Sequence, residues 1–130
     1  MKESIHDALG FHPERIEKMP NGPVRVTIPY DRFGQVVSHW LGSAEAERPR
    51  LRALMPAASE SSRLLLNYVL ELEGGKSLLC LEVDVPRDRT LPSVTGVWSY
   101  ADWWQEELSV FNGARFEGAR PKEDSKWQQA

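Results

Sequence analysis

The chain has 130 residues, 41% of them hydrophobic and 27% charged, and a formal net charge of -3. That is the size of one domain of ~100–150 residues and the balance of an ordinary folded protein, which excludes a disordered polymer. An acidic chain without a basic stripe also excludes a general affinity for nucleic acid.

Along the chain, residues 3–9 predict a short helix with Ile5 and Leu9 on one side, ending at Gly10. Breakers follow at Pro13, Pro20, Gly22 and Pro23. Val24–Ile28 alternates and is rich in β-branched residues, the pattern of a strand with one buried face. From Asp31 to Leu41, Phe33, Val36, Val37, Trp40 and Leu41 recur at helical spacing, and Gly42 stands where a capping glycine is expected. Residues 44–50 read as a polar loop, which would place Arg48, Arg50 and Arg52 in or beside solvent. Leu51–Met55 is a further strand candidate, and 57–62 reads as a connection.

The clearest hairpin comes next. In Leu64–Glu73 the residues Leu66, Tyr68, Leu70 and Leu72 fall on one face. Gly74-Gly75 supplies the turn, and Ser77–Val85 returns with Leu79, Leu81, Val83 and Val85 inward and Glu82 and Asp84 outward. Residues 86–92 connect to a helix over Ser99–Leu108. Beyond Gly118 the sequence is charged and polar with Trp127 as its one anchor, a composition that predicts a mobile tail. The expectation is an α+β, two-layer domain over residues 1–118, with a mixed sheet, a central hairpin and helices on one face, followed by a tail at 119–130.

Residue chemistry offers little for catalysis. The lone Cys80, in an apolar run, reads as a buried inert thiol, and with one cysteine there is no cysteine-built cluster or internal disulfide. His6, His12 and His39 lack metal-ligand spacing, and His39 is expected on the solvent side of its helix. Gly74-Gly75 is a turn rather than a phosphate loop, and the serines at 59, 61 and 62 lack a nucleophile-elbow context. Glu106 and Glu107 are adjacent, so on a helix they point about 100° apart and do not converge as an acid/base pair. The residues therefore predict no catalytic residue, no cofactor and no metal site. No apolar run reaches the ~20 residues of a membrane-spanning helix, and the N-terminus lacks the apolar core of a signal peptide. More unusual are five tryptophans, three of them (Trp98, Trp103 and Trp104) crowded beside Tyr100. A small core can hide only some of these rings, and exposed aromatics are what interface hot spots use.

This same segment carries a resemblance. Pro92-Ser93-Val94-Thr95-Gly96-Val97-Trp98, then Ala101-Asp102-Trp103-Trp104-Gln105-Glu106-Glu107, resembles the signature of the respiratory complex I 30-kDa subunit family, which serves NADH-quinone oxidoreductase and its energy-converting hydrogenase relatives. Gly113 and Arg115-Phe116-Glu117-Gly118 continue in register. The chain departs from the pattern at several places. Gln105-Glu106-Glu107 stands for Glu-Arg-Glu, Ser109-Val110 for Tyr-Asp, Asn112 for Phe, and Ala119-Arg120 for His-Pro.

The resemblance implies an accessory or scaffold subunit without a cofactor, peripheral to the inner membrane on its cytoplasmic side. Its partner would be a large electron-transferring subunit (49-kDa-like, or hydrogenase large). The expected partner-binding residues are Trp103, Trp104, Glu107, Phe111, Arg115 and Phe116. The departures also fit a stand-alone interaction or regulatory domain that kept the fold and lost the complex.

Overall fold

The period-two pattern of residues 64–85 becomes the middle of the sheet. In the computed structural model, which describes residues 2–117, the elements run α1 (Lys2–Leu9), β1 (Glu17–Lys18), β2 (Val24–Pro29), α2 (Tyr30–Gly42), β3 (Arg50–Ser59), β4 (Arg63–Leu72), β5 (Ser77–Pro86), β6 (Leu91–Pro92), α3 (Ala101–Asn112) and β7 (Phe116–Glu117). Five strands form one sheet in the order β1-β2-β5-β4-β3, mixed because β2 lies parallel to β5 while the other neighbours are antiparallel. The two short strands β6 and β7 pair in parallel apart from it. This is the expected α+β two-layer domain.

All eight inward positions of the hairpin are buried, each contributing ~1.5–3 kcal/mol for a side chain of this size. Val24, Val26 and Ile28 continue the same inner face on β2, and Phe33, Val36, Val37 and Trp40 of α2 cover it. A line of rings ties the layers together. Tyr68 of the sheet lies 4.8 Å from Phe33, Phe33 stands edge-on to Trp40 at 6.1 Å, and Trp40 lies 4.9 Å from Trp98. Trp40 Nε1 also donates to the Ala8 carbonyl at 2.6 Å, which fixes α1 against α2.

Several local expectations are corrected. Gly42 is the last residue of α2, and Ser43, in an extended conformation, is its cap. His39 is not left to solvent: its Nε2 lies 2.7 Å from the Asp7 carbonyl oxygen, and its ring fills the space beside Gly10, where an added Cβ would meet it at 2.7 Å. Gly10 also has φ +85°, so glycine is required there on two counts. The hairpin turn is a three-residue turn, Glu73–Gly75, with positive φ at all three residues. The Glu73 carboxylate accepts hydrogen bonds from Ser4 Oγ and Ser77 Oγ, both at 2.9 Å, and these hold its pKa below the usual carboxylate value.

The third strand runs on past Met55 to Ser59. It passes two register irregularities and Pro56, a residue an edge strand tolerates because its outer N–H is not needed. Arg50 and Arg52 thus belong to a strand, with Arg52 paired to Glu71 at 3.0 Å. Arg48 turns back to donate to the carbonyls of Ser43, Leu41 and Val97. The expected tail at 119–130 lies outside the described residues.

Candidate protein-docking surface

The outer edge of β3 positions the segment that follows Val94. Trp98 Nε1 donates to the Pro49 carbonyl at 3.0 Å and the Tyr100 hydroxyl donates to the Leu51 carbonyl at 2.8 Å. Two aromatic side chains thereby satisfy one acceptor just before β3 and one on the strand itself, and they set α3 against β3. The helix starts at Ala101 rather than Ser99 and runs one turn further than the sequence suggests, to Asn112. It ends where Gly113 adopts φ 73° and its N–H returns to the Leu108 carbonyl, a six-to-one closure of the last turn, with the Ala114 N–H reaching the same carbonyl at 3.2 Å.

Two polar side chains lock this helix, one from its second turn and one at its C-terminal end. Gln105 is 3% exposed; its Oε1 accepts from the Val94 N–H and its Nε2 donates to Ser93 Oγ, each at 2.9 Å. At the far end the Arg87 guanidinium donates to the Asn112 carbonyl, to the Glu60 carbonyl at 2.8 Å and to Ser59 Oγ at 2.6 Å. A cation on the last carbonyls also complements the helix dipole. Neither locking role was read from the sequence. That of Gln105 could have been suspected from a polar residue at a buried helical phase, with Ala101 and Leu108 on the same side. Arg87 has no periodicity to reveal it.

With Ala101, Gln105 and Leu108 turned inward, the opposite side of α3 faces solvent. That side is not polar. Trp103 is 65% exposed, Val110 69% and Phe111 73%. At 100° per residue, Glu106, Val110, Trp103, Glu107 and Phe111 follow one another within an arc of roughly 140°. The surface is an apolar stripe with acids set between and beside its rings. Asp102 adds a third exposed carboxylate at the start of the helix.

The six residues expected to bind a partner therefore separate. Trp103, Glu107 and Phe111 lie on the outer face. Trp104 is half-buried, packed against the core with its ring edge-on to Tyr100 at 5.8 Å. Arg115 is exposed just past the helix, one Nη donating to the Arg87 carbonyl at 3.3 Å. Phe116 does not belong to the surface: it is 9% exposed and joins the core from β7, where the Leu91 N–H donates to the Arg115 carbonyl at 2.8 Å. Val110 was missed because it lies beyond Leu108, where the helix was expected to end, so its place on the outer face had no helical phase to reveal it.

The remaining chemistry is dispersed. Among the described residues no three His, Cys, Asp or Glu side chains gather as a metal-holding group. The rings of His6 and His12 stack at 4.1 Å. Cys80 is 8% exposed, and burial pushes its thiol pKa up, away from a reactive thiolate. No helix among the described residues is long and apolar enough to cross a membrane.

The family model of the respiratory-chain NADH dehydrogenase, 30 Kd subunit, matches residues 26–125. Among solved structures, a chain of the membrane-bound sulfane sulfur reductase, an archaeal respiratory membrane complex, shares the fold at 16% sequence identity and a TM-score of 0.63. The match covers 87% of this chain and 66% of that one. No curated protein matches the sequence.

Proposed function

Since the chain belongs to the family of the 30-kDa subunit of respiratory-chain NADH dehydrogenase, we propose that it is a non-catalytic scaffold subunit of a complex I-like oxidoreductase or of a membrane-bound, energy-converting hydrogenase. In this reading it docks through the outer face of α3 on the large electron-transferring subunit, on the cytoplasmic side and peripheral to the inner membrane. The observation that carries it is the solvent-facing apolar stripe, Trp103, Val110 and Phe111, on a helix whose other side is locked. A free surface gains nothing from exposing a tryptophan at 65% and a phenylalanine at 73%, whereas an interface uses such rings as anchors. Rigidity supports the same reading, because a side chain presented on a fixed helix loses little entropy when a partner closes over it.

The test is to tag the full-length chain, isolate its complex from membranes without crosslinking and identify the co-purifying subunits by mass. The reading expects a stoichiometric large subunit of the oxidoreductase or hydrogenase type. Recovery of the chain alone, under conditions in which the large subunit stays intact, would instead favour a stand-alone domain.

A further inference from the structure

Resting on that reading of α3, we infer that the partner surface facing it is an apolar socket bordered by lysine or arginine side chains. The inference comes from the charges around the stripe. The helix carries Asp102, Glu106 and Glu107 and no basic residue at all. All three acids are exposed, and none has a cationic partner among the described residues, whereas Glu17, Glu71 and Asp84 on the sheet each pair with an arginine. Asp102 and Glu106 are one helical turn apart, a spacing at which like charges repel. Only Asp102 lies in the first turn, where the helix dipole favours an acid. Among the described residues the other two acids bring the helix no compensating contact.

Set against a neutral or acidic surface, these carboxylates would oppose docking of the stripe they flank. Glu107 lies between Trp103 and Phe111 around the helix, so a partner cannot cover the rings without also meeting that charge. A cationic border removes the conflict and fixes the direction of docking, since Arg115, beyond the other end of α3, carries the opposite sign. Glu106 is the telling position: the sequence signature that this segment resembles has arginine there. The partner should thus present a cation opposite Glu106, a site where an arginine on this side would instead call for an acid.

The experiment is a titration of the full-length chain with the purified large subunit, comparing wild type, Glu106→Lys/Glu107→Lys, Glu106→Gln/Glu107→Gln and Trp103→Ala. Circular dichroism melts confirm that each variant is folded. The charge reversal should weaken binding by roughly tenfold or more at low salt, with the glutamine pair in between. Wild-type affinity should fall as salt rises. If Trp103→Ala weakens binding but the reversal leaves it unchanged or tightens it, the cationic socket is wrong while docking by α3 stands. If no variant, Trp103→Ala included, alters binding, docking by α3 is itself wrong. Self-association of the wild-type chain in sedimentation, abolished by Trp103→Ala, would make a second copy the occupant and overturn the inference.

Discussion

Gln105 and Val94 are joined by a buried hydrogen bond of 2.9 Å, from the Val94 N–H to the Gln105 side-chain oxygen. The same amide donates to Ser93 Oγ, which also accepts from the Thr95 N–H at 3.2 Å. One neutral side chain thus holds the turn that follows β6 against α3. The 30-kDa-subunit signature has an acid at this position; here an uncharged amide is retained inside, where a carboxylate would have to be desolvated. This departure from the signature is absorbed within the domain, whereas the one at Glu106 lies on the surface.

Gln105→Ala should therefore destabilise the domain by about 1–3 kcal/mol, the cost of leaving a buried N–H without its acceptor. Urea unfolding gives the value. A loss below ~0.5 kcal/mol would mean that water replaces the amide and the turn is not held by it.

The hairpin core makes two opposite predictions. Leu81 is fully buried on β5, and Leu81→Ala should cost about 2–5 kcal/mol. Tyr68 is equally buried, yet its hydroxyl has no hydrogen-bond partner among the described residues, and burial raises its pKa. Tyr68→Phe keeps the contact with Phe33 and removes an unsatisfied polar group, so it should be neutral or stabilise by up to ~1 kcal/mol. Denaturant midpoints of the two variants should move in opposite directions or, for Tyr68→Phe, not at all. A large loss for Tyr68→Phe would show that its hydroxyl has found a partner.

The turn glutamate predicts a pH dependence. Hydrogen bonds from Ser4 and Ser77 lower the Glu73 pKa in the folded state. A carboxyl whose folded pKa is depressed contributes stability above its unfolded pKa, and that contribution disappears as pH falls through the folded value. Thermal melts of wild type and Glu73→Gln should differ at neutral pH and converge in the acid range below the usual carboxylate pKa. A difference that is constant with pH would assign the effect to turn shape rather than to charge.

Much of the fold was legible because its strongest signals are local. The alternation in β4 and β5 and the helical stripe Phe33–Val36–Val37–Trp40 identify the residues that are buried. What was not legible depends on contacts distant in sequence. The parallel pairing of β2 with β5 joins Val24 to Leu79, and nothing in either strand announces it. The later half of β3, with Pro56, Ala57 and Ala58, has poor strand propensity and is held extended by pairing with β4. The strands β6 and β7 have two residues each, too few for any period. At the candidate surface, adjacent tryptophans on a helix must diverge, but which ring faces outward is set by the bonds of Trp98 and Tyr100 to the β3 edge. Phe116 looked like part of the surface because it sits in the same motif; its place in the core follows from the pairing of β7 with β6.

The divergence of Trp103 and Trp104 gives the most direct test of the central claim, that the outer face of α3 is the docking surface. The measurement is the affinity of folded Trp103→Ala for the purified large subunit, with Trp104→Ala as its companion and a denaturant melt of each. Trp103→Ala should keep wild-type stability within ~0.5 kcal/mol and weaken binding about 30-fold or more, as expected for a tryptophan hot spot of ~2 kcal/mol. Trp104→Ala should chiefly lower stability, because that ring packs on the core beside Tyr100. Wild-type affinity in a folded Trp103→Ala chain would contradict the account.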